Sequence, residues 1–213
     1  MIFTSTKNSK EAVGFRTAAL NGLASNKGLY VPTFMPKLNT DILESDVFGP
    51  EEAAQVMRLF VDEDIPLKKL TEILDQTLAF DFPLEQIGED KYCLELFHGP
   101  TKAFKDVGAR FMSRVLGYFK AQDSNKSHVL VATSGDTGAA VANGFLNIDG
   151  VEVHILFPKG KVSEYQERQM TTLGGNINAY EVEGTFDDCQ SLVKQAFSSR
   201  VESWSRVGRE FGL

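Results

Sequence analysis

The sequence predicts an α/β fold, an open and mainly parallel sheet with helices on both faces, preceded by a mainly helical N-terminal region. Three observations predict it. From residue 91 onward, short apolar runs alternate with amphipathic stretches. The later runs begin near residues 128, 152 and 176, each one strand plus a crossover helix after the last. The charge is also split, because residues 1–90 carry eight basic and 15 acidic side chains whereas residues 91–213 carry 14 of each. Two domains are expected from that split: 1–90, mainly helical, and 91–213, α/β.

In the first part, apolar residues recur at helical spacing over 10–25, 50–61 and 66–79, as at Leu67, Leu70, Ile73, Leu74 and Leu78. Pro50 and Pro66 suit first turns, where a missing N–H costs nothing, and Glu51 and Glu52 suit the positive end of a helix. Residues 81–90 read as linker. KYCLELF (91–97) then reads as strand, 104–121 as helix, HVLVAT (128–133) as strand and 137–147 as helix. VEVHILFP (151–158), a helix over 163–172, NINAYEV (176–182) and a helix over 186–199 complete the cadence, with right-handed crossovers. A further strand is expected where the chain stops. The sheet therefore reads as incomplete, with at most four or five strands and an open edge that invites self-association.

Composition narrows the function. With 42% hydrophobic and 24% charged residues in 213, the chain falls in the globular class. A net charge of −7 without a basic stripe argues against nucleic acid as a partner. No apolar run approaches a membrane span and the N-terminus lacks a signal pattern, so no membrane association and a cytoplasmic location are expected. Cys93 and Cys189 lie far apart with no CxxC, which predicts neither a disulfide nor a zinc site but two small buried hydrophobes. His98, His128 and His154 are not at metal-ligand spacing, and no metal is expected. His98, beside Gly99 and Pro100, reads as a hydrogen-bonded structural residue.

Three constellations sit between a strand and the following helix, where α/β sheets display reactive groups. In FHGPTKAFKD (97–106), Lys105 falls in the first turn of a helix. There the macrodipole and the apolar neighbours Ala103 and Phe104 favour the neutral amine that a Schiff base requires, and Asp106 opposes it. By position alone it reads first as a solvated surface charge, and composition and spacing do not establish catalysis. In ATSGDTGAA (132–140), helix N-terminal N–H groups, close backbone approach at Gly135 and Gly138, and the hydroxyls of Thr133, Ser134 and Thr137 make an anion-binding nest. The same letters fit an ordinary cap by Ser134 or Asp136. In PKGKVS (158–163), Lys159 and Lys161 suit a phosphate, or simply a basic turn capped by Ser163.

LELFHGPTKAFKDVGARFM (94–112), ATSGDTGAAV (132–141), ILFPKGKVS (155–163) and TLGGNI (172–177), in that order and spacing, resemble threonine synthase of the bacterial and fungal kind. GLASNKGLYVP (22–32) and DDCQSLVKQAF (187–197) extend the resemblance over nearly all of residues 1–197. The family has the fold called type II of pyridoxal 5'-phosphate enzymes and converts O-phospho-L-homoserine and water to L-threonine and phosphate. The resemblance implies that Lys105 holds the cofactor and later moves protons between substrate carbons. It implies that Thr133 and Asp136 line the cofactor ring, that Ser134, Gly135, Thr137 and Gly138 hold the substrate carboxylate, and that Lys161 meets the substrate phosphate. Position 102 is Lys where the family usually has an apolar residue, and that second cation either sharpens Lys105 or points outward. Family members are about twice this length, so the resemblance implies a chain with half a site, unable to turn over alone. A serine or threonine dehydratase of the same fold and a non-catalytic interaction module are the competing readings.

Overall fold

A computed structural model describes residues 1–44, 48–121 and 126–198. The chain forms two compact units, Met1–Ala79 and a second beginning at Phe80, so the change of pattern at residue 91 falls inside the second.

The first unit opens with strands β1 (Ile2–Ser5) and β2 (Asn8–Gly14), followed by helix α1 (Phe15–Asn21) and strand β3 (Tyr30–Pro32). The strands form an antiparallel sheet in the order β2-β1-β3. The helix expected over 10–25 is thus only Phe15–Asn21, because residues 8–14 pair with β1, as in Phe3↔Val13, and the helix ends against Gly22 at φ 67°. The region expected to be mainly helical therefore also holds a small sheet. A 3-10 helix (Thr40–Glu44), α2 (Pro50–Val61) and α3 (Leu67–Thr77) complete the unit. Pro50 is the first helical residue of α2, and the Glu52 carboxylate accepts from the Gly49 N–H at 2.9 Å. Pro66 lies one position earlier than expected, as the cap of α3. Helices α2 and α3 pack together and bury Ala54, Val61, Leu70 and Leu74.

The second unit begins with β4 (Leu84–Gly88) and β5 (Lys91–Leu94), an antiparallel hairpin exposed at every position. This corrects two expectations. Residues 81–90 are not merely linker, and KYCLELF does not join the parallel sheet, because the turn at Asp90 (φ 55°) folds β5 back onto β4. Cys93 is exposed in consequence, whereas Cys189 is buried and burial pushes its thiol up.

The remaining elements follow the expected cadence: α4 (Lys105–Lys120), β6 (Ser127–Ala132), α5 (Asp136–Phe145), β7 (Val151–Pro158), α6 (Glu164–Thr171), β8 (Ile177–Val182) and α7 (Phe186–Ser198). Among the described residues the parallel sheet has three strands in the order β6-β7-β8, inside the upper bound of four or five. Alternate residues of β7 serve opposite faces. Val153, Ile155 and Phe157 pack with Ala109 of α4, with Ala139, Ala142 and Phe145 of α5 and with Met170 of α6, while Leu156 packs with Val182, Cys189 and Leu192 on the α7 side. Helices thus cover both faces. Each large side chain so buried stabilises the unit by about 1.5–3 kcal/mol. No helix among the described residues is long and apolar enough to cross a membrane.

Candidate active site

Two turns at the starts of α4 and α5 carry the sequence motifs. The loop before α4 is locked by Asp106, which is buried and accepts from the Thr101 N–H at 2.9 Å and the Thr101 hydroxyl at 2.6 Å. Gly99 is required by this lock, since a Cβ there would sit 2.5 Å from Asp106 Oδ2 and 2.9 Å from its Cβ. Gln169 of α6 donates to the Thr101 carbonyl at 3.4 Å, tying the loop to the next layer. His98 Nε2 lies 2.6 Å from Glu95 Oε2 and its ring stacks on Phe97, in keeping with its structural reading.

On this clamped loop Lys105 is half-buried as the first residue of α4, its Nζ 4.5 Å from the centre of the Phe104 ring. Asp106 faces Thr101 and not this amine, so the carboxylate expected to oppose a neutral lysine is engaged elsewhere. Among the described residues Lys105 has no ion pair and no hydrogen bond from its amine. Lys102 points outward, exposed, on a left-handed backbone (φ 59°).

The second turn is organised by a residue that sequence reasoning gave a different task. Thr133 is buried, and its Oγ1 accepts from the N–H of Gly135 at 3.0 Å and of Gly138 at 2.9 Å. Neither Ser134 nor Asp136 caps α5; the cap residue is Gly135, without a side-chain bond. The N–H groups of Asp136 and Thr137 in the first turn have no intrahelical acceptor, and Ser134 and Thr137 beside them are exposed. Asp136 itself accepts from Gln166, whose backbone N–H bonds Ser163, the cap of α6. Gln166 was not singled out by sequence, and no local signal there marks it; it joins the N-termini of α5 and α6. An alanine at Gly138 would bring a Cβ to 2.4 Å from both Met170 Sδ and Thr133 Cγ2. Gly138→Ala should therefore destabilise the second unit by about 1–3 kcal/mol, read as a lower urea midpoint; an unchanged midpoint would show that the turn has slack.

At the third turn Lys159 is bound to Glu183 at 2.7 Å, leaving Lys161 exposed. The structure brings Thr133, Gly135 and Gly138 into one hydrogen-bonded turn with Asp136 beside it. It joins the Lys105 loop to that turn through the packing of α4 on α5, where Ala109 meets Gly144, and through α6, whose Gln169 bonds the Thr101 carbonyl and whose Gln166 bonds Asp136.

Residues 77–205 match the family described as pyridoxal-phosphate dependent enzyme, and the chain belongs to that family. Its other part is more particular: residues 2–78 match the threonine synthase N terminus. The chain is 42% identical to the threonine synthase of Haemophilus influenzae over 204 residues, which cover 95% of this chain and 47% of that protein. Among solved structures it is similar to threonine synthase from Escherichia coli (TM-score 0.84, 41% identity, 100% of this chain and 49% of that one). It is also similar to the PLP-bound threonine synthase from Brucella melitensis (TM-score 0.86, 38% identity, 94% and 45%). The chain thus spans about half the length of the relatives it matches.

Proposed function

We propose that this chain provides the cofactor lysine and the carboxylate-binding turn of a threonine synthase acting on O-phospho-L-homoserine and water to give L-threonine and phosphate. The observation that carries the proposal is Lys105, an amine without an ionic partner among the described residues, on a loop fixed by a buried aspartate. The residues present fit pyridoxal 5'-phosphate through that amine, which can take up an aldehyde. When bound, the cofactor supplies an electron sink for charge developing on substrate carbon.

Lys105 would hold the cofactor through Nζ and later carry a proton to or from substrate carbon. The Asp136 and Thr137 N–H groups and the Ser134 and Thr137 hydroxyls would orient the substrate carboxylate at the positive end of α5. Gly135 and Gly138 would contribute close backbone approach, since their own N–H groups are taken by Thr133. Asp136, steadied by Gln166, would stand beside the ring, and the exposed Lys161 would meet the substrate phosphate. A cytoplasmic location belongs to the same proposal, with two unpaired cysteines in support.

The test is borohydride reduction of the full chain with pyridoxal phosphate, followed by peptide mapping. Label is expected at Lys105, and O-phospho-L-homoserine, but not serine or threonine, should shift the visible spectrum of the unreduced complex. A shift with serine or threonine alone would favour a dehydratase, and label spread over Lys102 and Lys161 would favour a non-catalytic module. Self-association is also proposed, favoured by the exposed Leu84, Ile87, Tyr92 and Leu94 of the β4–β5 hairpin. Light scattering after size exclusion should give a mass above that of one chain, rising with concentration; a constant single-chain mass would refute it.

A further inference from the structure

We propose that His128, Glu152 and His154 form a binding site for a divalent transition-metal cation on the sheet face covered by α7. The site lies near the N-terminal ends of β6 and β7, at the sheet edge opposite Thr133, and shares no residue with the proposed active site.

The parallel register assembles it. His128 is paired with Glu152 and Leu130 with His154, so His128, Glu152 and His154 project from the same face of adjacent strands. His128 Nδ1 and His154 Nε2 stand 3.1 Å apart. Two ligand atoms on one tetrahedral zinc are about 3.3 Å apart, so a cation fits between these nitrogens with little movement. Glu152 Oε2 is 3.9 Å from His128 Nδ1, and one ligand atom from each of the three residues lies within 4.8 Å of the others.

The surroundings hold these groups in place. Lys126 takes the other carboxylate oxygen, Glu152 Oε1, at 2.6 Å, which leaves Oε2 turned to the imidazoles. His154 Nδ1 lies 3.2 Å from the Tyr180 hydroxyl, an outer partner that fixes the ring with Nε2 toward His128. The rings of His128, His154 and Tyr180 stack in sequence, with centroids 5.3 Å and 6.0 Å apart. His154 is 2% exposed, held in place between His128 and Tyr180. His128 is exposed and gives a cation its way in.

The donor set selects the ion. Two imidazole nitrogens and one carboxylate suit zinc, cobalt or nickel, whereas calcium and magnesium want oxygen throughout. Three protein ligands leave a fourth position to water.

The test is titration of the full chain with Zn²⁺ in competition with a chromophoric chelator. One zinc per chain is expected, bound in the micromolar range or tighter and not displaced by millimolar Mg²⁺ or Ca²⁺. His128→Ala, at an exposed position, should remove this binding, and Tyr180→Phe should weaken it roughly 10-fold. His98→Ala should leave it intact, since His98 belongs to a separate pair with Glu95. The proposal is overturned if the chain binds no zinc in that range, if His128→Ala binds as the parent does, or if His98→Ala abolishes the binding.

Discussion

Replacement of Lys105 by alanine is expected to reduce borohydride-fixed pyridoxal label to background, while Lys102→Ala and Lys161→Ala keep it. The reason is positional. Lys102 and Lys161 are exposed to water, whereas Lys105 is half-buried at the first position of α4 with an aromatic ring beneath its amine. Under the proposed function the same substitution should also slow proton transfer by about 10²–10⁴-fold, the usual contribution of a positioned acid or base. Retention of label by the alanine variant would remove Lys105 from the proposed role and leave the loop as scaffold only.

Asp106→Ala should be the most damaging single change in that loop. It removes the acceptor of two hydrogen bonds from Thr101 and leaves a buried N–H and hydroxyl unsatisfied. Hydrogen bonds to a charged group contribute about 1.5–3 kcal/mol each, so a loss of roughly 3 kcal/mol is expected, seen as a lower urea midpoint for the second unit. The fixation of pyridoxal at Lys105 should slow as well, because the amine sits one residue from the lost anchor. Asp106→Asn, which keeps the shape and one acceptor, should recover part of both effects. A stable Asp106→Ala variant that is labelled at the parental rate would mean that the turn is held by other contacts.

The parallel sheet was legible because β6, β7 and β8 are apolar runs with long amphipathic helices between them. The first unit's sheet was not, since Asn8–Gly14 is polar and joins β1 through backbone pairing that leaves little periodic trace. The β4–β5 hairpin escaped for a related reason: every position faces water, so no alternation between an inner and an outer face is imposed on its sequence. At the candidate site the letters of AFKD and TSGDTG fall on the turns that open α4 and α5. They could not reveal that Asp106 turns back to Thr101 or that Thr133 points inward, because those directions depend on loop dihedrals and on helix packing. The grouping of His128 with His154 was hidden further still, since residues 26 apart meet only through strand register.

The parallel register also bears on how this unit assembles. Paired positions in β6 and β7 differ by 24 residues, as in Ser127↔Val151, and those in β7 and β8 by the same number, as in Val153↔Ile177. Closure entropy depends on loop length, so the two crossovers carry nearly equal penalties and neither is favoured by topology alone. The choice of route then falls to the helices, and α5, with its buried run of Ala139, Ala140 and Ala142, docks on β7 with the smaller side-chain entropy cost. β7 is shared by both closures. Its collapse against α5 would act as the nucleus, onto which β6 and β8 add from either side as largely independent steps.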